Sequence, residues 1–366
     1  MSTAAVQKPK VLFLVEGINI VSFNKDFTQV ALSKKDNNIY IYSVPNLMKT
    51  DTWKLLHTLK SHYQYISGLD WCPETNRILS CSYDKTSFVW DLVEKKWTPS
   101  NVVVTTKLGY LCCKWNKRGD KFCEGTSAKQ LYIGYYNPDT KWWMGVNIKV
   151  HKSSVVTCEI DPTSLFVISG STDLRIFVTS CYKPEIDDKF ITEDMRPLAK
   201  PFGEVIYEIK ENSWINSVTW LPNGFWGLAA SQDAIISVVN LGEQKTEQIR
   251  CKHSPATIII PKDDNAFYAV CYDRNIVEYE RKGDKWEVKK TITGKNEGDN
   301  KARTSVGNVS AQLQKFQQMG LQNKQNLAVT TKQASHLHKS QISSINIKGK
   351  DVITTDLSGF VKYWKL

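Results

Sequence analysis

The chain has 366 residues, of which 41% are hydrophobic, 23% charged and 11% aromatic. This composition can bury a large core and excludes a mostly disordered protein. Lysine and arginine exceed aspartate and glutamate by 48 to 37, and the net charge of +11 favours acidic partners without choosing between protein, nucleic acid and anionic lipid. The length would ordinarily indicate two or three domains, unless internal repeats build one body.

The amino-terminal segment lacks the apolar core of a signal peptide, and no run of about 18 apolar residues follows. We therefore expect an intracellular chain. Its nine cysteines include no CxxC pair, so neither a disulfide framework nor a zinc site is predicted, and we expect buried, reduced thiols. The glycine motifs that cradle phosphates do not occur, so we predict no cofactor and no metal.

In chain order, a strand-like run over 11–15 comes first, and seven copies of one pattern follow it. Each copy contains short alternating strands around a tight turn, and the clearest copy spans 62–91. The turn residues fall at 36, 84, 129, 173, 233, 273 and 358. Four of the six intervals are close to the ~40–45 residues of a WD repeat.

The strands are rich in β-branched and aromatic residues, and in the runs 39–42 and 87–90 nearly every side chain is bulky. Such strands need cover on both faces, as in sheets stacked radially around a channel. We therefore predict an all-β fold, a seven-bladed WD-repeat β-propeller with a helical insertion before the last blade. Residues 1–366 would form one domain, in which strand 11–15 closes the last blade.

Two sets of histidine, serine and aspartate resemble catalytic triads. The first is His62, Ser80 and Asp84, and the second is His151, Ser169 and Asp173. A nucleophile site occurs once and is exposed, whereas these sets repeat at the same 22-residue spacing, and Trp90 completes the first. We interpret all seven side chains as structural hydrogen-bond networks inside blades, and we predict that the protein is not an enzyme.

Two intervals are too long for one blade. The first contains proline and charge over 181–210, which predicts a surface loop. The second contains an insertion over 283–335 with an amphipathic helix at about 305–320. Either this helix packs back on the propeller, or it projects as an arm whose apolar stripe enters a partner's groove. The stripe consists of Val309, Leu313, Phe316 and Met319.

Nearly the whole chain resembles one WD-repeat family, subunit 1 of the actin-related protein 2/3 complex. The resemblance is carried by Phe13-Leu-Val-Glu16, by residues 70–78, 139–143 and 201–204, and most specifically by Lys315-Phe-Gln-Gln-Met319 inside the insertion. The family has a helical insertion at this place, which ordinary WD-repeat proteins lack. Lys129 and Ser358 depart from the usual aspartate of the turns.

The resemblance implies a non-catalytic scaffold subunit that supports nucleation of branched actin filaments. It implies docking on the other subunits, contact with the mother filament at the branch, an inserted helix that reaches toward actin or an actin-related subunit, and reception of the acidic tails of nucleation-promoting factors. It also implies a cytoplasmic location at the actin cytoskeleton, without nucleic acid or membrane insertion. Two alternatives stay open: a generic WD-repeat scaffold of another intracellular assembly, and an RNA-binding propeller indicated only by charge and aromatic content.

Overall fold

The structure, a computed structural model, describes residues 10–292 and 338–365. These residues form 28 strands in five four-stranded sheets and one eight-stranded sheet. The eight-stranded sheet is two blades joined at their outer strands, where β9 and β13 pair in parallel. The architecture is therefore an all-β propeller of seven four-stranded blades, as the repeat spacing predicts.

Each blade is an antiparallel meander that runs from the central channel outwards. Blade 1 contains β2 (Ile20–Phe23), β3 (Gln29–Ser33), β4 (Asn38–Ser43) and β5 (Lys54–Lys60). Blade 2 contains β6 (Ile66–Trp71), β7 (Ile78–Ser82), β8 (Ser87–Val93) and β9 (Lys96–Val103). Blade 3 contains β10 (Tyr110–Trp115), β11 (Lys121–Thr126), β12 (Leu131–Asn137) and β13 (Trp142–Ile148). Blade 4 contains β14 (Val155–Ile160), β15 (Phe166–Ser171), β16 (Arg175–Ser180) and β17 (Val205–Lys210).

The remaining three blades repeat this order. Blade 5 contains β18 (Ile215–Trp220), β19 (Trp226–Ser231), β20 (Ile235–Asn240) and β21 (Lys245–Arg250). Blade 6 contains β22 (Ala256–Asp263), β23 (Ala266–Cys271), β24 (Ile276–Lys282) and β25 (Lys285–Thr291). Blade 7 contains β26 (Ile342–Lys348), β27 (Asp351–Asp356) and β28 (Phe360–Lys365), and its outer strand is β1 (Lys10–Phe13).

The core is divided into seven apolar clusters, and each cluster fills the space between two neighbouring blades. The second strands lie deepest, so all residues of β11, β15 and β23 are buried. One cluster joins Val30 and Leu32 of blade 1 to Ile353 and Val361 of blade 7. Apolar packing is therefore continuous around the ring.

The amino-terminal strand pairs with the last strand of the described chain. β1 is antiparallel to β28, and the Leu14 amide donates to the Gly359 carbonyl at 3.1 Å. Gly359 has φ +88°, and a Cβ there would lie 2.0 Å from the Val15 carbonyl oxygen, so no side chain fits this contact. The rings of Phe13 and Phe360 pack edge to face across the same pair of strands.

Both insertions are shorter than the sequence indicates. Residues 205–210 of the predicted loop 181–210 form β17, a run of β-branched and aromatic residues in which Tyr207 and Ile209 alternate with Glu208 and Lys210. The rest of this loop is partly regular, because it contains α1 (Pro184–Asp187) and two 3₁₀ turns, Asp188–Phe190 and Arg196–Leu198. A further 3₁₀ turn, Thr50–Thr52, lies in blade 1. Similarly, residues 285–291 of the predicted insertion 283–335 form β25. The helix predicted at 305–320 lies outside the described residues.

A buried ion pair fixes the blade 4 insertion to blade 3. The Lys121 ammonium group donates to Asp187 at 2.8 Å and to the carbonyls of Ser164 and Cys181 at 2.6 and 3.0 Å. Arg118 also donates to Asp187, and the side chains of Lys121 and Asp187 are fully buried. Each of the three ammonium protons of Lys121 thus has an acceptor, and these hydrogen bonds offset the free-energy cost of burying the charge.

Replacing Asp187 with Ala is expected to leave the Lys121 charge buried without its counter-ion, which typically costs about 3–5 kcal/mol. Chemical denaturation measures this loss as a lower free energy of unfolding. Asp194→Ala, at an exposed position of the same insertion, is the control and should change it by less than about 0.5 kcal/mol. A D187A protein as stable as the parent would contradict the role given to this ion pair.

Candidate interaction surface

The first set of triad-like residues lies inside blade 2. The Ser80 hydroxyl accepts from Trp90 Nε1 at 2.9 Å and shares a hydrogen bond with His62 Nε2 at 2.8 Å. His62 Nδ1 lies 2.8 Å from the Thr86 hydroxyl and 3.5 Å from Asp84 Oδ2. Asp84 in turn accepts from the backbone amides of Tyr63 and Thr86. The structure therefore brings the four predicted residues together, with Thr86 as an intermediary that sequence reasoning missed.

The second set lies inside blade 4 and is simpler. His151 Nδ1 lies 3.1 Å from Asp173 Oδ2, and His151 Nε2 lies 2.9 Å from the Ser169 hydroxyl. Asp173 also accepts from the Lys152 amide at 2.7 Å. Ser80 and Ser169 have no solvent-exposed surface, so neither hydroxyl can meet a substrate. Both sets have the geometry of hydrogen-bond networks that hold a blade's turn to its second strand.

A third network lies in blade 7 and is not among the predicted residues. His338 Nδ1 lies 2.8 Å from Asp356, His338 Nε2 lies 2.7 Å from the Thr354 hydroxyl, and Trp364 Nε1 donates to Thr354 at 2.9 Å. The turn position of this blade is Ser358, so a search for aspartate at that position fails. Here the carboxylate comes from two residues earlier, and threonine replaces serine; a search that allowed both changes would have found it.

The turn position predicted for blade 3, Lys129, lies one residue later than the position that is equivalent to Asp84 of blade 2. In blade 3 the ladder pairs Cys112 with Gly125, as Gly68 pairs with Cys81 in blade 2. The position equivalent to Asp84 is therefore Ala128 rather than Lys129. Lys129 instead has φ +68°, like Lys85 at +70°, because the residue after this position closes the turn in the left-handed region.

The network carboxylates are held in their charged form. Burial by itself would raise the pKa of Asp84, but hydrogen bonds from His62, Thr86 and two backbone amides outweigh it and lower the pKa. Burial and hydrogen bonds oppose each other in the same way at Asp173, where the bonds from His151 and the Lys152 amide prevail and lower the pKa to about 2. At His338 burial prevails over the Asp356 contact and lowers the imidazole pKa.

The surface above these networks is one end of the ring, formed by the turns between second and third strands and by the loops that enter the inner strands. We call it the loop face. Five large apolar or aromatic side chains are exposed there by 43% to 85%: Tyr63, Tyr83, Leu108, Trp214 and Tyr272. Backbone hydrogen bonds between turn and loop, such as Tyr83 to Tyr65 and Gln232 to Trp214, fix their positions.

The loop face is also basic. It has an exposed lysine in each of seven turns or loops: Lys35, Lys85, Lys107, Lys129, Lys152, Lys252 and Lys339. Most carboxylates of the same loops accept hydrogen bonds within the blades, as Asp84, Asp173 and Glu211 do. Positive charge beside exposed aromatic rings is suited to an acidic polypeptide with apolar side chains.

A cavity opens at the centre of this face. Its volume is about 380 Å³, and it is lined by residues that include Tyr65, Tyr83, Ile258 and Leu357. The Tyr65 and Tyr83 rings stack with centroids 5.8 Å apart, so the mouth of the channel has an aromatic wall.

The predicted apolar stripe of the insertion, Val309, Leu313, Phe316 and Met319, lies outside the described residues. Its flanks are described, and both lie at the loop face. The Ile292 amide donates to the Ile276 carbonyl beside the blade 6 turn, and His338 enters the inner strand of blade 7. Among the residues that the structure describes, no helix is long and apolar enough to cross a membrane, and no group of three or more metal-ligating side chains converges.

Comparison with known proteins agrees with this architecture. The family model described as "WD domain, G-beta repeat" matches residues 53–91, which run from the outer strand of blade 1 to the third strand of blade 2. A Xenopus laevis protein named "Actin-related protein 2/3 complex subunit 1A-A" is 26% identical over 365 residues, covering 96% of this chain and 95% of its own length. The chain is a WD-repeat propeller that resembles this subunit. The resemblance noted in the sequence is thereby confirmed.

Two further relatives carry the same subunit name. An Arabidopsis thaliana protein named "Actin-related protein 2/3 complex subunit 1A" is 32% identical over 211 residues, which are 57% of this chain and 55% of that protein. A Saccharomyces cerevisiae protein named "Actin-related protein 2/3 complex subunit 1" is 23% identical over 332 residues, which are 82% and 86% of the two chains. The WD-repeat propeller thus has relatives of this name in an animal, a plant and a fungus.

The low pKa of Asp173 predicts an acid-dependent contribution to stability. Its folded pKa of about 2 lies below the ordinary value of 3.8, so the contribution is present above about pH 4 and is lost as the pH falls towards 2. We expect Asp173→Asn to remove about 1 kcal/mol of this pH dependence, after allowance for solvent screening. Denaturant unfolding at pH 2 to 6 tests this, with Asp264→Asn in an exposed turn as the control. Parallel pH curves for D173N and parent would refute it.

Proposed function

We propose that the WD-repeat propeller is a non-catalytic scaffold subunit of an actin-related protein 2/3 complex. The observation that carries this proposal is the similarity to a protein of that name over 96% of the chain, together with the propeller architecture of the described residues. The other subunits of the complex are then its permanent partners. The proposed location is the cytoplasm, at the actin cytoskeleton.

The finer role is support for nucleation of branched actin filaments. The seven inter-blade clusters complete the core of the ring with Trp286 and Ile292 as members from the insertion, so the insertion beyond Ile292 is not needed for closure. We assign it to contact with the mother filament, through Val309, Leu313, Phe316 and Met319 on one side of the proposed helix. Residues 295–335 have six basic and two acidic residues, a net charge of +4 that suits an acidic surface.

The loop face is the proposed receiver of the acidic tails of nucleation-promoting factors. Charge complementarity supports this assignment, because seven exposed lysines surround exposed aromatic rings while most loop carboxylates are engaged inside blades. Trp214, 59% exposed, and Tyr63, 85% exposed, would provide apolar contact area. Lysines at the edge would attract the tail and orient it.

The second candidate is a generic WD-repeat scaffold of another intracellular assembly. It shares the blades but gives no reason for the helical insertion. Native mass spectrometry of the complex purified through this chain separates the two. Two actin-related proteins and four further small subunits are expected for the proposed function, whereas an assembly without actin-related proteins would reject it.

Replacing both Leu313 and Phe316 with Ala should weaken filament branching, because truncating apolar anchors at an interface often costs about 2 kcal/mol or more. The unfolding midpoint of the propeller should stay unchanged. The measurement is the branching rate of the purified complex with actin. Gln314→Ala with Gln318→Ala, on the polar side of the proposed helix, is the matched control. A branching rate equal to that of the control would reject the assignment of the helix.

Changing Lys107 and Lys152 to Glu together with Trp214→Ala should weaken binding of a synthetic acidic tail by about tenfold or more, because both charge attraction and apolar contact are lost. Fluorescence anisotropy at two salt concentrations measures the affinity and its ionic dependence. Lys95→Glu, an exposed lysine in a turn at the opposite end of blade 2, is the control. Equal loss in this control would mean that net charge, and not the loop face, determines binding.

A further inference from the structure

Two thiols from neighbouring blades meet at the wall of the central channel. Cys112 lies on β10, the inner strand of blade 3, and Cys158 lies on β14, the inner strand of blade 4. Their sulfur atoms are 3.5 Å apart, which is van der Waals contact. Both residues line a central cavity of about 520 Å³. Cys112 is half-buried and Cys158 is 3% exposed.

Local backbone geometry turns Cys112 towards blade 4. The register of β10 against β11 shifts between Tyr110 and Cys112, and a Gly stands opposite Cys112 at position 125. A Cβ on Gly125 would lie 2.8 Å from the Cys112 sulfur, so the glycine provides the space for this thiol. The next residue, Cys113, points to the opposite side of the strand, towards blade 2.

We propose that Cys112 and Cys158 form an oxidation site, at which a hydroperoxide that enters the channel converts the two thiols into a disulfide between blades 3 and 4. The bond needs the sulfurs to approach from 3.5 Å to about 2.05 Å. Disulfides of intracellular proteins, where they occur, are mostly transient or redox-sensing, and this site is of that kind.

The reaction has two balanced steps. In the first, the Cys112 thiol gives up its proton and the thiolate attacks a peroxide oxygen, so that an S–O bond forms, the O–O bond breaks, and the departing oxygen takes up that proton to leave as alcohol or water. In the second, the Cys158 sulfur attacks the Cys112 sulfenic acid, so that the S–S bond forms, the S–O bond breaks, and the hydroxyl leaves as water with the Cys158 proton. The thiols together lose two electrons, and the hydroperoxide gains them.

The environment makes the site slow rather than inert. Burial, with contacts to Cys112 and Cys123, raises the pKa of the Cys158 thiol well above its ordinary value. The first attack therefore falls to Cys112, which reaches the channel. Cys123 also lies near Cys158 and is fully buried, which denies it direct contact with a peroxide.

The chain contains its own comparison pair. Cys81 of blade 2 and Cys113 of blade 3 also converge, since a Cβ on Gly68 would lie 2.6 and 2.8 Å from their sulfurs. Cys113 also lines the central cavity, but both side chains are buried, at 0% and 4% exposure, whereas Cys112 is half-buried and presents more of its surface to the channel. If exposure to the channel decides which thiols a hydroperoxide reaches, Cys112 and Cys158 should become linked, whereas Cys81 and Cys113 should stay reduced.

The experiment exposes the purified full-length protein, within its complex if it purifies as one, to hydrogen peroxide. Remaining thiols are then alkylated under denaturing conditions, and unreduced tryptic peptides are mapped by mass spectrometry. Peptide 108–114 contains Cys112 and Cys113, peptide 153–175 contains Cys158, and peptide 78–85 contains Cys81. The expected product is 108–114 joined to 153–175, lighter by two hydrogen atoms and separated again by dithiothreitol.

Several outcomes would overturn the proposal. A preferred link between 108–114 and 78–85 would show that channel access does not select the pair. Conversion of Cys112 to sulfinic acid without any link would show that Cys158 cannot reach it. Because the map needs no substitution, it does not depend on variants that fold.

Variants add a second readout. Cys158→Ala should leave a Cys112 sulfenic acid that dimedone traps, and Cys112→Ala should abolish both trapping and the link. In the parent protein, oxidation should raise the thermal unfolding midpoint by about 5 °C, because the link constrains the unfolded chain between positions 112 and 158. An unchanged midpoint in C112A under the same peroxide is the control, and an equal rise in that variant would contradict the proposal.

Discussion

Packing between neighbouring blades is the interaction on which the rest of the structure depends. A single four-stranded sheet cannot bury both of its faces, and each blade here finds cover only against the blades beside it. The seven apolar clusters therefore act as seven copies of one interface arranged in a closed ring. Most residues of these clusters lie on strands, so the loops at either end of the ring can carry recognition.

The buried polar groups complement this packing by fixing register. His62, His151 and His338 each tie the start of an inner strand to the second strand of the same blade, through Ser80, Ser169 and Thr354. An unpaired member would cost about 1–3 kcal/mol, which penalises every shifted pairing. Lys121 and Asp187 use charged groups in the same way, and they hold the blade 4 insertion against blade 3 in addition to its apolar packing.

Much of the fold and of its hydrogen-bond networks could be predicted from the sequence, because the same pattern of strands and turns occurs seven times. Blade number and the residues of the first two networks follow from spacing and from the chemistry of the side chains. The blade 7 network could not be found by position, since Asp356 lies two residues before the turn that usually supplies the carboxylate. Nor could spacing show that 205–210 and 285–291 are outer strands, because an outer strand is half exposed and its polar residues resemble those of a loop. The loop face depends on which turns meet in space, and that requires the topology.

The pairing of β1 with β28 has a consequence for the order in which the protein is made. The amino-terminal strand is synthesised early, but β28, its hydrogen-bonding partner, lies about 350 residues later. The strand therefore cannot form this pair until six complete blades have been synthesised. During that time the blades can assemble in succession, each on the one before it. Ring closure therefore has to follow synthesis of the last strand, and the pairing of β1 with β28 brings together the close contact at Gly359 and the apolar cluster between blades 7 and 1.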